Sequence, residues 1–240
     1  MKRFAACLFA AAGLALAPLD AASAITVGQV DDFEDGTTQG WTVALGPFGA
    51  VHPAPPANVA SGGPAGAGDN FLMLTSLGGV GPGSRMTAMN GAQWSGDYLS
   101  ANVGAIGMWV NNFGQSDLNL QLFVEDPSGG PPANGAYSTD SIFVAAGGGW
   151  TPIRFSLDPD DLTAAFGSVQ AALSGATILR LFHGPIPGGQ GQGVAAQLGV
   201  DNIEAIPVPE PATWAMMILG FGAVGLAMRR GRRGRRLRPA

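Results

Sequence analysis

Trp109 and Phe123 lie in two short segments where an aromatic ring alternates with amides and a carboxylate. Ile106-Gly107-Met108-Trp109-Val110-Asn111 sets Trp109 and Asn111 opposite Ile106, Met108 and Val110. Leu118-Asn119-Leu120-Gln121-Leu122-Phe123-Val124-Glu125 sets Asn119, Gln121, Phe123 and Glu125 opposite four aliphatic side chains. Successive side chains of a strand point to opposite faces, so each segment reads as a half-buried strand with one polar, aromatic face. Sugars present apolar C–H faces and many hydroxyls, which suit an aromatic platform flanked by amides and carboxylates. Trp109, Asn111, Asn119, Gln121, Phe123 and Glu125 are therefore the candidate glycan-binding residues, placed on two adjacent strands. Arg154 and Arg180 could join from neighbouring strands. The competing reading buries Trp109 and Phe123 under a loop or against a second sheet, where large aromatics usually go.

Catalytic chemistry has weaker support. His52 lies in a proline-rich loop and His183 at a strand end, neither with a partner at metal-ligand spacing. No Gly-x-Ser-x-Gly elbow, phosphate-cradling loop or His-Glu-x-x-His occurs. A glycosidase needs only two carboxylates suitably apart, but most acids here sit in turn-like contexts. His183 with Tyr98 or Tyr137 and an arginine is the one lyase-like arrangement. The chain reads as a non-enzyme.

The elements that must position these residues are short strands. Besides the two above, Ile153, Phe155 and Leu157 alternate with Arg154 and Ser156, and further strands are expected at Phe71 to Leu74, Ser141 to Val144, Ile178 to His183 and Leu198 to Ile206. Proline- and glycine-rich loops run over Pro53 to Asp69, Pro127 to Ala136 and Pro185 to Gly193. Asp158-Pro159-Asp160-Asp161 carries helix-start signals, so one short helix is expected over Leu162 to Phe166, with a turn at Ser168 to Leu173. Trp41, Trp94 and Trp150 read as core or edge packing. Many strands and few helices predict an all-β fold, a jelly-roll-like β-sandwich over 25–206.

Both ends read as targeting segments. Lys2-Arg3, the apolar stretch Phe4 to Ala17 and Ala22-Ser23-Ala24 form a signal peptide over 1–24, with Ala22 and Ala24 at the cleavage site and signal peptidase as a partner. Cys7 leaves with it, so thiol chemistry is excluded from the mature chain. At the other end the uncharged run Trp214 to Met228 spans roughly 22 Å as a helix, short of the roughly 30 Å hydrocarbon core. Seven arginines between Arg229 and Arg238 would hold its end in the cytoplasm, so the body lies on the other side. A short permanent anchor is the alternative.

Pro209-Glu210-Pro211-Ala212-Thr213-Trp214-Ala215, the apolar run and Arg229-Arg230 resemble the PEP-CTERM sorting signal in its PEPxxWA form. Families with this tail are sometimes labelled ice-binding protein C-terminal domain, although the body lacks the regular threonine rows a flat ice-binding face needs. The resemblance covers 207–236 and implies a Gram-negative source, an exosortase-type sorting enzyme as partner, and export linked to exopolysaccharide or biofilm matrix. A sorting domain is placed at 207–240, with a hydrophobic helix over 212–228 that anchors the chain transiently in the inner membrane.

Two stretches of the body resemble carbohydrate-binding jelly-roll modules: Asp32 to Trp41 their opening strand and turn, and Leu198-Gly199-Val200-Asp201-Asn202-Ile203 their closing strand. In such modules these strands are neighbours and commonly share a structural Ca²⁺. Carried over by position, the resemblance implies Glu34 and Asp201 as calcium ligands, with Asp32 or Asp35 joining. Ca²⁺ takes six to eight oxygens, and backbone carbonyls can complete the set. The alternative is a solvated acidic turn.

Charge narrows the partners. Between Ile25 and Val208 only Arg85, Arg154 and Arg180 stand against fifteen acidic residues, a net charge of −12 without a lysine. That argues against nucleic acid and anionic lipid and fits a neutral polysaccharide, a divalent cation or simple solubility. The expected protein is an exported surface or matrix component that binds extracellular polysaccharide. A structural biofilm component without a ligand is the second reading, and a polysaccharide-degrading enzyme the third.

Overall fold

The computed structural model describes residues 24–44, 50–126, 132–184, 191–209 and 217–222. Among these residues twelve strands occur in the order β1 (Val30–Asp31), β2 (Ala57–Val59), β3 (Phe71–Leu77), β4 (Thr87–Asn90), β5 (Val103–Asn112), β6 (Leu118–Glu125), β7 (Gly135–Ser138), β8 (Ile142–Val144), β9 (Thr151–Ser156), β10 (Leu162–Phe166), β11 (Ile178–His183) and β12 (Ala195–Pro207). They form two six-stranded sheets. The first runs β2-β3-β12-β5-β9, with β1 also on β12. The second runs β10-β7-β6-β11-β4, with β8 also on β6. The fold is all-β, with the two sheets packed as a sandwich.

Period-two alternation builds the core. Leu118, Leu120, Leu122 and Val124 of β6 meet Ile106, Met108 and Val110 of β5 and Leu198 and Val200 of β12 in one buried cluster. Leu179 and Leu181 of β11 join it, as do Leu72 and Leu74 of β3. The opening strand lies beside the closing one, with Val30 opposite Glu204 and Asp31 opposite Ile203.

Asp31 locks that opening strand. Its buried carboxylate accepts Trp41 Nε1–H at 2.7 Å, Trp94 Nε1–H at 2.6 Å and Gln93 Nε2–H at 2.7 Å. Both indoles are buried, as expected for Trp41 and Trp94.

Three sequence expectations change. Pro159–Asp161 forms a single 3₁₀ turn, capped by Asp158, whose side chain accepts from the Asp160 N–H at 3.1 Å. Leu162–Phe166 then extends as β10 instead of a helix, because pairing with β7 buries Leu162 opposite Ser138. The helix lies instead at Val169–Ser174 (α1), where Ser168 Oγ caps the Ala171 N–H and Ala172 and Leu173 turn into the core. Finally, β5 and β6 are not adjacent strands. The chain crosses from one sheet to the other between them.

At the termini, 217–222 are helical and exposed, and no helix among the described residues is long and apolar enough to cross a membrane. The signal segment 1–23, including Ala22, and Glu210, Pro211, Trp214, Ala215, Arg229 and Arg230 lie outside the described residues. Ala24 and Pro209 are described, both in irregular backbone.

Candidate functional site

The sheet crossing divides the six candidate glycan residues. Trp109 and Asn111 lie on β5 in the first sheet; Asn119, Gln121, Phe123 and Glu125 lie on β6 in the second. Arg154 follows the first group, opposite Gly107, and Arg180 the second, opposite Phe123. The two sets face away from each other, because Ile106, Met108 and Val110 and the β6 aliphatics fill the space between the sheets.

On the second sheet, register aligns one row across five strands. Met89 of β4 pairs with Arg180 of β11, Arg180 with Phe123 of β6, Phe123 with Tyr137 of β7, and Tyr137 with Thr163 of β10. At about 4.8 Å between strands the row spans roughly 19 Å. Phe123 itself is only 2 % exposed. The Arg180 guanidinium lies 5.8 Å from its centroid on one side, and the Tyr137 ring 6.5 Å away on the other. Gly135 leaves room for it, since a Cβ there would fall 2.7 Å from Phe123 Cζ. Phe123 is thus the floor of this row, and the half-buried Arg180 and Tyr137 form its surface.

The flanking rows are polar. Arg180 forms an ion pair with Glu125. Burial pushes the Glu125 carboxyl above its usual range, and the guanidinium pulls it back. Gln121, opposite Phe182, donates Nε2–H to the Ser138 carbonyl at 2.7 Å. Its Oε1 is buried and has no hydrogen-bond donor among the described residues. Phe143, 61 % exposed, pairs with Asn119 in the outermost row. Sequence reasoning missed Tyr137 and Phe143 as members of this face, because β7 and β8 are too short to show a period.

On the first sheet, Trp109 sits between Pro152 and Asp201 and is 37 % exposed. Asn111 is nearly buried opposite Gly199. Trp150 packs edge-on to Phe71 at 5.2 Å and to Phe113 at 6.0 Å, in line with the edge-packing expectation.

The proposed calcium ligands cluster only in part. Asp201 is buried, and its pKa is raised to about 7, first by burial and then by the charges of Asp69, Glu34 and Asp32. Asn202, in the left-handed region at φ 48°, folds its N–H and Nδ2–H back onto the two Asp201 oxygens at 2.7 and 2.9 Å. Glu34 Oε1 accepts the Asn70 N–H at 2.8 Å, and Asp32 Oδ1 accepts Gln39 Nε2–H at 3.2 Å. Asp35 turns away into its own loop and accepts both the N–H and Oγ1–H of Thr37, the solvated-turn alternative. Among the described residues no three acidic, histidine or cysteine side chains converge as a metal cluster. Each carboxylate oxygen still has a second lone pair, so the residues fit a cation only if backbone carbonyls supply most ligands.

The lyase-like arrangement does not assemble. Tyr98 is buried in the core and donates its hydroxyl to the Trp94 carbonyl at 2.7 Å, whereas Tyr137 lies on an outer face. His183 Nδ1 accepts the Asn119 N–H at 2.9 Å, and burial lowers its pKa. His52 Nδ1 accepts the Ala54 N–H.

Residues 207–233 match the PEP-CTERM protein-sorting motif, which marks an exported protein sorted to the cell envelope and implies an exosortase-type enzyme. No curated protein matches the sequence. Among solved structures the chain is similar to an exo-beta-agarase, with a TM-score of 0.51 and 14 % identity over 77 % of this chain and 25 % of that one. The chain thus spans about a quarter of the agarase's length. It is also similar to a family 11 carbohydrate-binding module from Clostridium thermocellum (TM-score 0.46, 13 % identity, 78 % of this chain and 99 % of that one). A xylan-binding domain from Paenibacillus barcinonensis gives a TM-score of 0.44 at 18 % identity, over 75 % and 99 % of the two chains. At such identities the likeness is one of fold.

Proposed function

We propose that the 25–206 body is a non-catalytic polysaccharide-binding domain whose glycan surface is the outer face of the second sheet. The observation that supports this best is the register row Arg180–Phe123–Tyr137–Thr163, flanked by Glu125 and by the unpartnered acceptor of Gln121. An aromatic surface suits the C–H faces of a sugar, and the guanidinium, carboxylate and amide suit its hydroxyls. The signal peptide over 1–24 is removed by signal peptidase. The 207–240 segment then holds the body briefly at the membrane, until sorting delivers it to the surface or the polysaccharide matrix.

The test is retardation of the full chain in gels containing agarose, mixed-linkage β-glucan or xylan, the polysaccharides named for the similar structures. Wild type is expected to be retarded by at least one. Tyr137→Ala, at a half-exposed position, is expected to weaken that retardation about tenfold. Retardation by none, across a wider glycan array as well, would leave the ligand-free matrix reading in its place.

The proposal includes a structural calcium ion held by Glu34 and Asp201 with Asp32 beside them. The crowding of buried Asp201 by three other carboxylates supports it.

A further inference from the structure

We infer that the first sheet carries a second saccharide site on its outer face, a cleft that seats one neutral pyranose ring against Trp109 between Arg154 and Glu204. The domain would then hold two polysaccharide chains, one on each sheet, and cross-link them. The ligand class rests on the polysaccharide reading above; the site itself rests on different residues.

Register builds the cleft. Gly107 of β5 pairs with Arg154 of β9 on one side and Glu204 of β12 on the other. Two residues along β5, Trp109 pairs with Pro152 and Asp201. The Ile206 side chain lies against Gly107, its Cδ1 2.8 Å from where a Cβ would stand, so Ile206 and Gly107 together form an apolar floor, with Trp109 at one end and the two charged groups along the sides. Together they line a cleft of about 340 Å³, at the small end of the roughly 300–1,000 Å³ of ordinary ligand pockets.

Both charged groups are available. Arg154 and Glu204 are exposed, and neither side chain has a hydrogen bond or ion pair among the described residues. Their positions flank Gly107 two strand spacings apart, roughly 10 Å, which leaves a sugar ring's width between them. A guanidinium donates to hydroxyl oxygens and a carboxylate accepts from hydroxyl hydrogens, so the pair reads both sides of a polyol.

Trp109 is not a scattered surface aromatic, of the kind that needs no explanation. One row further along the same face, Trp150 and Phe113 lie over Gly199, where a Cβ would come within 2.8 and 2.7 Å of them. Trp150 is held there by its Nε1–H bond to the Gly62 carbonyl at 2.8 Å. Aromatic surfaces thus continue roughly 7 Å along the strand, so the cleft opens onto room for a continuing chain. The net charge of −12 selects against an acidic glycan.

The experiment uses the full chain and two readouts, gel retardation and light scattering. The probes are agarose, mixed-linkage β-glucan and xylan, and scattering is read over that of protein alone. Wild type is expected to raise scattering with a glycan that retards it. Trp109→Ala, and separately Arg154→Gln with Glu204→Gln, should abolish the rise and weaken retardation about three- to tenfold. The double variant changes exposed side chains only, so a folding defect in Trp109→Ala would not remove the test. Tyr137→Ala should also abolish scattering while leaving residual retardation through Trp109. Unchanged scattering and retardation in both first-sheet variants overturns the second site and leaves the second-sheet reading standing. If Tyr137→Ala has no effect while Trp109→Ala ends all binding, the second-sheet reading fails and this cleft is the binding site. If no probe is bound, both fall.

Discussion

Neutralising Asp201 tests whether the junction of opening and closing strands holds a metal. Its carboxyl is pushed to about 7 by burial and by Asp69, Glu34 and Asp32, against roughly 3.9 in an unfolded chain. The folded state therefore keeps the proton through a pH window where the unfolded state has lost it. The resulting stability is fully present below about pH 4 and is lost as pH rises through about 7. Three units correspond to about 4 kcal/mol as a ceiling, and relaxation around the charged form, which keeps two hydrogen bonds from Asn202, brings the expected loss to about 2 kcal/mol. For a domain of this size that is about 4–8 °C in Tm.

Asp201→Asn imitates the protonated acid, keeping an oxygen for the Asn202 N–H. In a chelator it should leave Tm unchanged near pH 4 and raise it by about 4–8 °C at pH 8. Wild type should lose that amount between pH 4 and pH 8. Adding calcium at pH 8 should restore wild type and leave Asp201→Asn unmoved, since the cation replaces the proton as the neutralising charge. Thermal unfolding followed by circular dichroism reads all four states. A variant no more stable than wild type in chelator at pH 8 would refute the crowding argument. A wild type indifferent to calcium would refute the metal.

Two further outcomes follow from the packing. Asp31→Ala strips the shared acceptor from two buried indoles and Gln93; it should cost about 3 kcal/mol in urea unfolding and change tryptophan fluorescence. Gly199→Ala drives a Cβ to 2.7 Å from Phe113 and 2.8 Å from Trp150; overpacking should cost about 1–3 kcal/mol, read as a lower Tm, and no loss would mean that these rings are free to move.

What the sequence showed depended on how local the signal was. β6 was legible to the residue, because alternation over Leu118–Glu125 records which side faces a core, and the apolar run Ile178–His183 marked β11. The same alternation says nothing about which sheet a strand joins. Residues 113–117 could have closed a hairpin or crossed the sandwich, and the outcome depends on β12 pairing with β5 along most of its length. The sequence reading therefore joined into one face residues that the fold puts on two separate sheets. The misplaced helix has a local cause. Asp158-Pro159 starts a turn in either case, and only the unseen strand β7 makes extension of Leu162 the better burial. The role of Asp31 left no local signal, because its two indole partners are 10 and 63 residues away.

The placement of the basic residues argues for a surface built around neutral ligands. A −12 body that needed only solubility could dispense with arginine. This one keeps three: Arg180 on the outer face of the second sheet, Arg154 on the outer face of the first, and Arg85 where the chain bridges to Gly193. The first two each stand in register beside β5 or β6 and accompany an aromatic ring. Arg180 gives its charge to Glu125, leaving a neutral pair over Phe123; Arg154 faces Glu204 across Gly107 with the same net charge of zero. Each pair is neutral in itself within an otherwise acidic surface, which on the first sheet includes Asp201 beside Trp109. The pairs present matched donors and acceptors. Such pairing recognises hydroxyls without selecting for charge, the chemistry that a neutral polysaccharide requires.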